Sequence, residues 1–241
     1  MFDHVDIRAS DRPASERFYD LVLPVVGLEK SHSDDSYVEW GDFGIVQASV
    51  DSPVTRGLHI AFFAPSHDVV DEFWRVGTDA GYRDDGGPGL RPEYSDDYYG
   101  GFLLDPDGNS VEAVTHGRTK PDGAIDHIWV RVADLAAAKS FYEKIATHAG
   151  IRVTYEDPDR VRLAGESGSL SLVRGVPTEH LHFAFPADRN EKVDAFHAAA
   201  IAAGYRDNGA PGERLVYHPG YYGAFVLDPD GNNVEVVNHN R

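Results

Sequence analysis

The sequence predicts an α+β fold of four βαβββ units grouped as two modules, and two observations carry that prediction. The chain is self-similar at a constant offset, and within each copy the apolar residues switch between strand and helix periods in a fixed order. Ala80-Gly81-Tyr82-Arg83-Asp84 recurs as Ala203-Gly204-Tyr205-Arg206-Asp207, and Phe102 to Glu112 recurs as Phe225 to Glu235, both 123 residues later. The same offset carries Asp3-His4 to Asp126-His127, Phe18-Tyr19 to Phe141-Tyr142, and Leu58-His59 to Leu181-His182. The polar stretch from His116 to Gly123 then reads as a short linker between one module over residues 1–119 and another over 124–241.

Within the first copy, Phe2 to Arg8 alternates as a strand. Ser10-Asp11 followed by Pro13 supplies a cap and a first-turn proline for a helix carrying Phe18, Leu21 and Val22. Two strands follow, Tyr37 to Trp40 and Gly44 to Val50. After Pro53 the pattern restarts with a strand from Gly57 to Phe63 and a helix capped by Ser66 that holds Val69, Val70, Phe73 and Trp74. Tyr82 to Asp84 reads as a short strand. Gly100 to Leu104 and Ser110 to Thr115 form a hairpin across the turn cluster Asp105-Pro106-Asp107-Gly108-Asn109.

Composition narrows the chemistry. A hydrophobic content of 41% with 11% aromatics is enough to fill real cores, and no apolar run reaches the length of a membrane span. The N-terminus has neither the basic flank nor the apolar stretch of a secretory leader, so the expected compartment is the cytoplasm and no membrane partner is expected. A net charge of −18 repels a phosphate backbone and excludes nucleic acid as a partner. With no cysteine in the chain, a metal has to be held by imidazole and carboxylate.

Strand alternation places those groups. Val5 and Ile7 share the face that packs on helices, which puts His4 on the other; Ile60 and Phe62 do the same for His59, and Val111 for Glu112. The second copy repeats the set as His127, His182 and Glu235, with a His-to-His interval of 55 and a His-to-Glu interval of 53 in both copies. Two imidazoles and one carboxylate leave open positions on Zn²⁺, Ni²⁺, Fe²⁺, Mn²⁺ or Co²⁺, as a catalytic divalent ion requires.

These motifs resemble the vicinal oxygen chelate superfamily, which contains glyoxalases, bleomycin-resistance proteins, epimerases and extradiol dioxygenases. The carriers are Asp3-His4-Val5 and Asp126-His127-Ile128, the Phe-Tyr helices, Leu58 to Phe62 and Leu181 to Phe185, and the two Asp-Pro-Asp-Gly-Asn hairpins with their following glutamates. The resemblance implies cupped mixed sheets around a divalent metal, with ligands at His4, His59, Glu112, His127, His182 and Glu235. It also implies catalytic roles for Glu112 and Glu235. Extradiol dioxygenases carry a tyrosine where this chain has Phe102 and Phe225, which disfavours ring cleavage by that route. Bacterial glyoxalase I adds a fourth-strand glutamate, whose nearest counterpart here is Gln47, with Leu170 in the second copy.

The segment before each hairpin repeats Arg91, Tyr94, Tyr98 and Tyr99 as Arg214, Tyr217, Tyr221 and Tyr222. With Gln47 these are the substrate-binding candidates: tyrosines line an apolar pocket while offering a hydroxyl, and arginine neutralises an anion. His116 and His239 follow the glutamates by four residues, about 13 Å along a strand and too far for the same ion. His218 has Ser95 in its place in the first copy. The leading function is a metal-dependent lyase or isomerase on a small oxygen-chelating substrate. The alternatives are a non-catalytic drug or metabolite binder of the bleomycin-resistance type and a metal-dependent dioxygenase. The chain is expected to act as a monomer or homodimer. Because each copy holds a whole ligand set, the expected grouping is self-contained, His4 meeting His59 and Glu112; the crossed grouping, His4 meeting His182 and Glu235, is the alternative.

Overall fold

A computed structural model describes residues 1–117, 120 and 123–241. The expected linker over 116 to 123 therefore lies partly outside the described residues. The first unit is β1 (His4–Ala9), α1 (Arg12–Val22), β2 (His32–Ser33), β3 (Tyr37–Trp40) and β4 (Phe43–Gln47). The second is β5 (His59–Phe63), α2 (His67–Asp79), β6 (Arg83–Leu90), β7 (Tyr99–Leu104) and β8 (Ser110–Thr115). The third is β9 (Ile125–Val132), α3 (Leu135–Ala149), β10 (Arg152–Glu156), β11 (Arg160–Ala164) and β12 (Ser169–Arg174). The fourth is β13 (His182–Pro186), α4 (Asn190–Ala202), β14 (Arg206–Glu213), β15 (Tyr222–Leu227) and β16 (Asn233–Asn238). No described helix is long and apolar enough to cross a membrane.

Local chemistry sets the helix starts. Asp11 caps α1 by accepting from the Ala14 N–H at 3.0 Å, and Ser66 caps α2 by accepting from the Val69 N–H at 3.4 Å. In the second copy Asp134 accepts from the N–H groups of Ala136 and Ala137, whereas α4 begins after Arg189 without a side-chain cap. The repeated Phe-Tyr, Gly-Tyr-Arg-Asp and Asp-Pro-Asp-Gly-Asn motifs lock to one another. Phe18 meets the Tyr82 ring edge-on at 4.8 Å, and the Tyr19 hydroxyl donates to Asp105 Oδ2 at 3.1 Å. Phe141 with Tyr205 and Tyr142 with Asp228 repeat both contacts. Asp105 Oδ1 in turn accepts from the Asp107 and Asn109 N–H groups, closing the turn at Gly108, whose φ of 84° suits glycine.

The strands form two eight-stranded mixed sheets, of order β14-β15-β16-β13-β1-β4-β3-β2 and β10-β11-β12-β9-β5-β8-β7-β6. β1 thus lies between β13 and β4, and β5 between β9 and β8, which overturns the self-contained grouping of His4 with His59 and Glu112. By compactness the chain divides into Asp6–Trp129 and Met1–Val5 with Val130–Arg241. The first of these buries Phe18, Tyr19, Trp40, Phe43, Phe62 and Phe73; the other buries Phe141, Tyr142, Phe183, Phe185 and Phe196. Two readings of single strands also change. The segment expected as a short strand from Tyr82 extends to Leu90, carried by a register shift between Asp84 and Gly86. The two-residue β2, paired with β3, has no apolar alternation to announce it.

Candidate metal centres

Within Asp6–Trp129, register brings three donors to one spot. β5 runs parallel to β8 with Ala61 opposite Glu112, and antiparallel to β9 with Ala61 opposite His127. Glu112 and His127 therefore flank Ala61, whose methyl leaves room between them, and His59 leaves the same face of β5 two residues earlier. Asn109 fixes this register by accepting from the Leu58 N–H at 3.1 Å. The other centre is assembled alike. Ala184 on β13 lies opposite Glu235 on β16, and the Asp3 N–H donates to the Ala184 carbonyl at 2.8 Å, bringing His4 alongside.

Three donor atoms converge in each centre. His59 Nε2 lies 3.0 Å from Glu112 Oε2 and 3.3 Å from His127 Nε2, and His127 Nε2 lies 3.5 Å from Glu112 Oε2. Around Glu235 Oε2 the corresponding separations are 3.2 Å to His182 Nε2 and 3.5 Å to His4 Nε2, with 3.1 Å between the two imidazoles. Donors bound to one ion at about 2.1 Å are separated by about 3.0 Å at right angles and about 3.4 Å at tetrahedral angles, so both triangles fit a divalent cation. Glu235 Oε2 is fully buried and accepts no hydrogen bond among the described residues, an arrangement an ion would satisfy.

The outward nitrogens are held. His127 Nδ1 meets Asp126 Oδ1 at 2.9 Å and His4 Nδ1 meets Asp3 Oδ1 at 2.8 Å, while His59 Nδ1 meets Ser110 Oγ at 3.0 Å and His182 Nδ1 lies 2.7 Å from the Asn233 side-chain amide nitrogen and 3.2 Å from the Asn233 carbonyl. These partners keep each Nε2 turned inward, toward the other donors. Asp3 and Asp126 were absent from the residues expected to serve the site, although their recurrence immediately before each histidine was the signal. His116 reaches Asp126 at 3.2 Å and His239 reaches Asp3 at 2.9 Å, so both stand one carboxylate behind a candidate ligand. His218 extends the second chain by meeting His239 Nδ1 at 2.8 Å.

The remaining expected residues separate into three groups. Tyr98 and Tyr221, both buried, donate to Glu112 Oε1 at 2.6 Å and Glu235 Oε1 at 2.8 Å and hold those carboxylates in place. Gly100 and Gly223 make room, since a Cβ at either would collide with the same glutamate. Tyr94 packs against Tyr98 and Trp129, and Tyr217 against Tyr221; both are exposed at the rim of their centre. Arg91 and Arg214 lie over Phe102 and Phe225, each of which lies against the site histidine His59 or His182, so a ring separates each arginine from the donors. Tyr99 and Tyr222 turn to the helices instead, donating to Asp71 and Asp194. Gln47 is also not brought to a centre. Its amide donates to the carbonyls of Ala9, Ser10 and Ala48 and accepts from the Arg12 N–H, at the end of β1 opposite His4 and about 16 Å along the strand from it.

Electrostatics distinguish the candidate ligands. Burial works against charge on Glu112 and Glu235, but the adjacent imidazoles outweigh it and lower both carboxyls, Glu235 to about 2. Burial alone would depress His127, yet hydrogen bonds to Asp126 and Glu112 prevail and raise it to about 9. Its metal-free imidazolium therefore stabilises the fold fully below the ordinary histidine value near 6.5, a contribution lost as pH rises through about 9. An ion entering the His59 centre has to displace that proton. At pH 7 its binding there is expected to release about one proton, and affinity to rise with pH up to about 9. Calorimetry in buffers of different ionisation enthalpy checks this; binding at the His59 centre without proton release would contradict it.

The chain matches the family described as Glyoxalase/Bleomycin resistance protein/Dioxygenase superfamily over residues 1–113 and again over 124–236. The chain belongs to this superfamily. Glyoxalase I from Zea mays is similar in structure, with a TM-score of 0.71 at 20% identity over 99% of this chain and 92% of that one. A putative dioxygenase from Bacillus subtilis subsp. subtilis str. 168 is similar with a TM-score of 0.67 at 14% identity, over 100% of this chain and 85% of that one. At these identities both likenesses speak to the fold alone. No curated protein matches the chain. Membership in a superfamily that hosts several chemistries leaves the reaction to be argued from the centres themselves.

Proposed function

We propose that this superfamily member is a divalent-metal-dependent lyase or isomerase acting on a small substrate with neighbouring oxygens, with His4, His182 and Glu235 holding one ion and His59, Glu112 and His127 another. The observation that carries the reading is the doubled convergence of two Nε2 atoms and one buried carboxylate oxygen, each histidine held from behind. When bound, the ion supplies electrostatic stabilisation to a negative charge developing on a substrate oxygen. The chain's own residues orient and shield. Tyr98 and Tyr221 keep one glutamate oxygen occupied so that the other faces the donors, and the buried strands behind the centre exclude water from that side. Tyr94 and Tyr217 at the rims contact the substrate. The proton exchange with it is assigned to Oε2 of Glu112 and Glu235, the oxygen that the tyrosine leaves open.

A binder that merely sequesters a metabolite has no need of a metal cluster built twice, and this favours the enzyme. The test is proton exchange: metal-loaded protein is incubated in deuterated water with small α-hydroxycarbonyl compounds and hemithioacetals of 2-oxoaldehydes, and exchange or isomerisation next to the carbonyl is followed by NMR. Turnover that requires the ion and is lost in both glutamate-to-glutamine variants is expected. Tight retention of such compounds by fully loaded protein with no turnover would instead favour the sequestering role.

A further inference from the structure

Strand β9 carries a large aromatic residue beside the His59 centre. Trp129 follows His127 by two residues, so both side chains leave β9 on one face, while Ile128 and Val130 on the other are fully buried. Register sets Trp129 directly opposite His59 on β5, and its ring centroid stands 5.6 Å from that of His59 and 6.3 Å from that of His127. Tyr94 meets the indole edge-on at 5.5 Å and lies 5.0 Å from Tyr98, whose hydroxyl holds Glu112. Tyr98, Tyr94 and Trp129 thus form a continuous run of rings from the carboxylate to His59, all within Asp6–Trp129. Trp129 is half-buried and Tyr94 is exposed, so the run borders solvent. The indole does not belong to the repeat, which has Asp6 at the corresponding place.

We propose that the His59 centre takes a substrate with an aromatic ring next to its two chelating oxygens, and that Trp129, supported by Tyr94, selects that ring. This rests on the reading of His59, Glu112 and His127 as ligands. An indole offers a metal no donor atom, so beside the ligands it acts on the substrate rather than on the ion. Aromatic rings pack best edge-to-face or offset-stacked, and the nearly perpendicular rings of Trp129 and Tyr94 offer a third ring both a face and an edge. A charged conjugate finds less to hold it. Arg91, the residue expected to meet an anion, donates to the carbonyls of Gly87 and Leu90 and lies over Phe102, whose ring stands between it and His59.

The experiment keeps the full chain and removes the other centre with Glu235→Gln, so that Co²⁺ is held by His59, Glu112 and His127 alone. Acetohydroxamate and benzohydroxamate are the probes, since both chelate through the same two neighbouring oxygens and differ only in methyl against phenyl. Calorimetry reads their affinities, and the visible spectrum of Co²⁺ reports that each has reached the ion. Benzohydroxamate is expected to bind at least about tenfold more tightly, because contact between rings adds to the burial of apolar surface. Trp129→Leu, which keeps an apolar side chain but no ring, should lower that preference by about threefold or more. Trp129→Met serves if the leucine variant does not fold, and Trp129→Phe should retain most of the preference. Succinic monohydroxamate, with a carboxylate in place of the ring, should bind no better than acetohydroxamate. Equal affinities for acetohydroxamate and benzohydroxamate, a preference that Trp129→Leu and Trp129→Met leave intact, or tighter binding of the carboxylate probe than of benzohydroxamate would overturn the proposal while leaving the metal centre standing. Failure of this chain to retain Co²⁺, or a Co²⁺ spectrum that neither hydroxamate changes, would remove the proposed centre and this proposal together.

Discussion

The double variant His4→Ala with Glu112→Gln is expected to lose both metal equivalents, whereas His127→Ala with Glu112→Gln is expected to lose only one. The first pair strikes one donor in each centre, because His4 lies with Glu235 and Glu112 lies with His59 and His127. The second pair strikes a single centre twice. Loss of one of three donors weakens an ion's hold by about 100-fold or more, so micromolar metal cannot refill a damaged centre. Elemental analysis after gel filtration reads the outcome. A self-contained grouping would exchange the two results, the first variant keeping one equivalent and the second keeping none. Thermal melting of the metal-free variants separates loss of a ligand from loss of the fold, and it matters most for Glu112, whose carboxylate is fully buried beside the His127 imidazolium.

The repeat made much of this architecture legible. Period-two alternation placed His4, His59 and Glu112 on the strand face opposite Val5, Ile60 and Val111, and those three apolar residues are fully buried. The turn residues of the hairpins and the caps at Asp11 and Ser66 were readable because each acts within a few residues of itself. What could not be read was which strand edges meet. Asp3-His4 and Asp126-His127 are near copies, so β1 and β9 are interchangeable as far as local sequence goes, and only long-range pairing assigns each its partner. Gln47 shows a second limit. The resemblance to glyoxalase I offered it as the fourth-strand residue, but β4 presents Gly44 toward Asp6 while Gln47 lies beyond, tied to the backbone of Ala9 and Ser10. Tyr98 and Tyr99 show a third. Tyr98 immediately precedes β7 and Tyr99 opens it, and the one holds Glu112 while the other reaches Asp71 on α2, although both recur in the second copy.

A fragment ending at Lys120 is expected to bind metal only as a dimer. It carries His4, His59 and Glu112 but lacks His127, His182 and Glu235, so a monomer can complete neither centre. Cutting there also strips β9 from β5 and β13 from β1, leaving two strand edges with unpaired backbone groups. A second copy of the fragment repairs both defects. Its β1 repeats the Asp-His pair of β9, so pairing β1 of one copy with β5 of the other restores an edge and delivers a second imidazole to His59 and Glu112. The dimer should then hold two ions, each bound by His59 and Glu112 of one copy and His4 of the other, and dilution should release metal together with dissociation. Light scattering coupled to metal analysis checks this. A folded monomer of the fragment that retains one tightly bound ion would show that His4, His59 and Glu112 can meet within one copy, and the crossed pairing of β1 with β13 and β5 with β9 would then no longer account for the ligand sets.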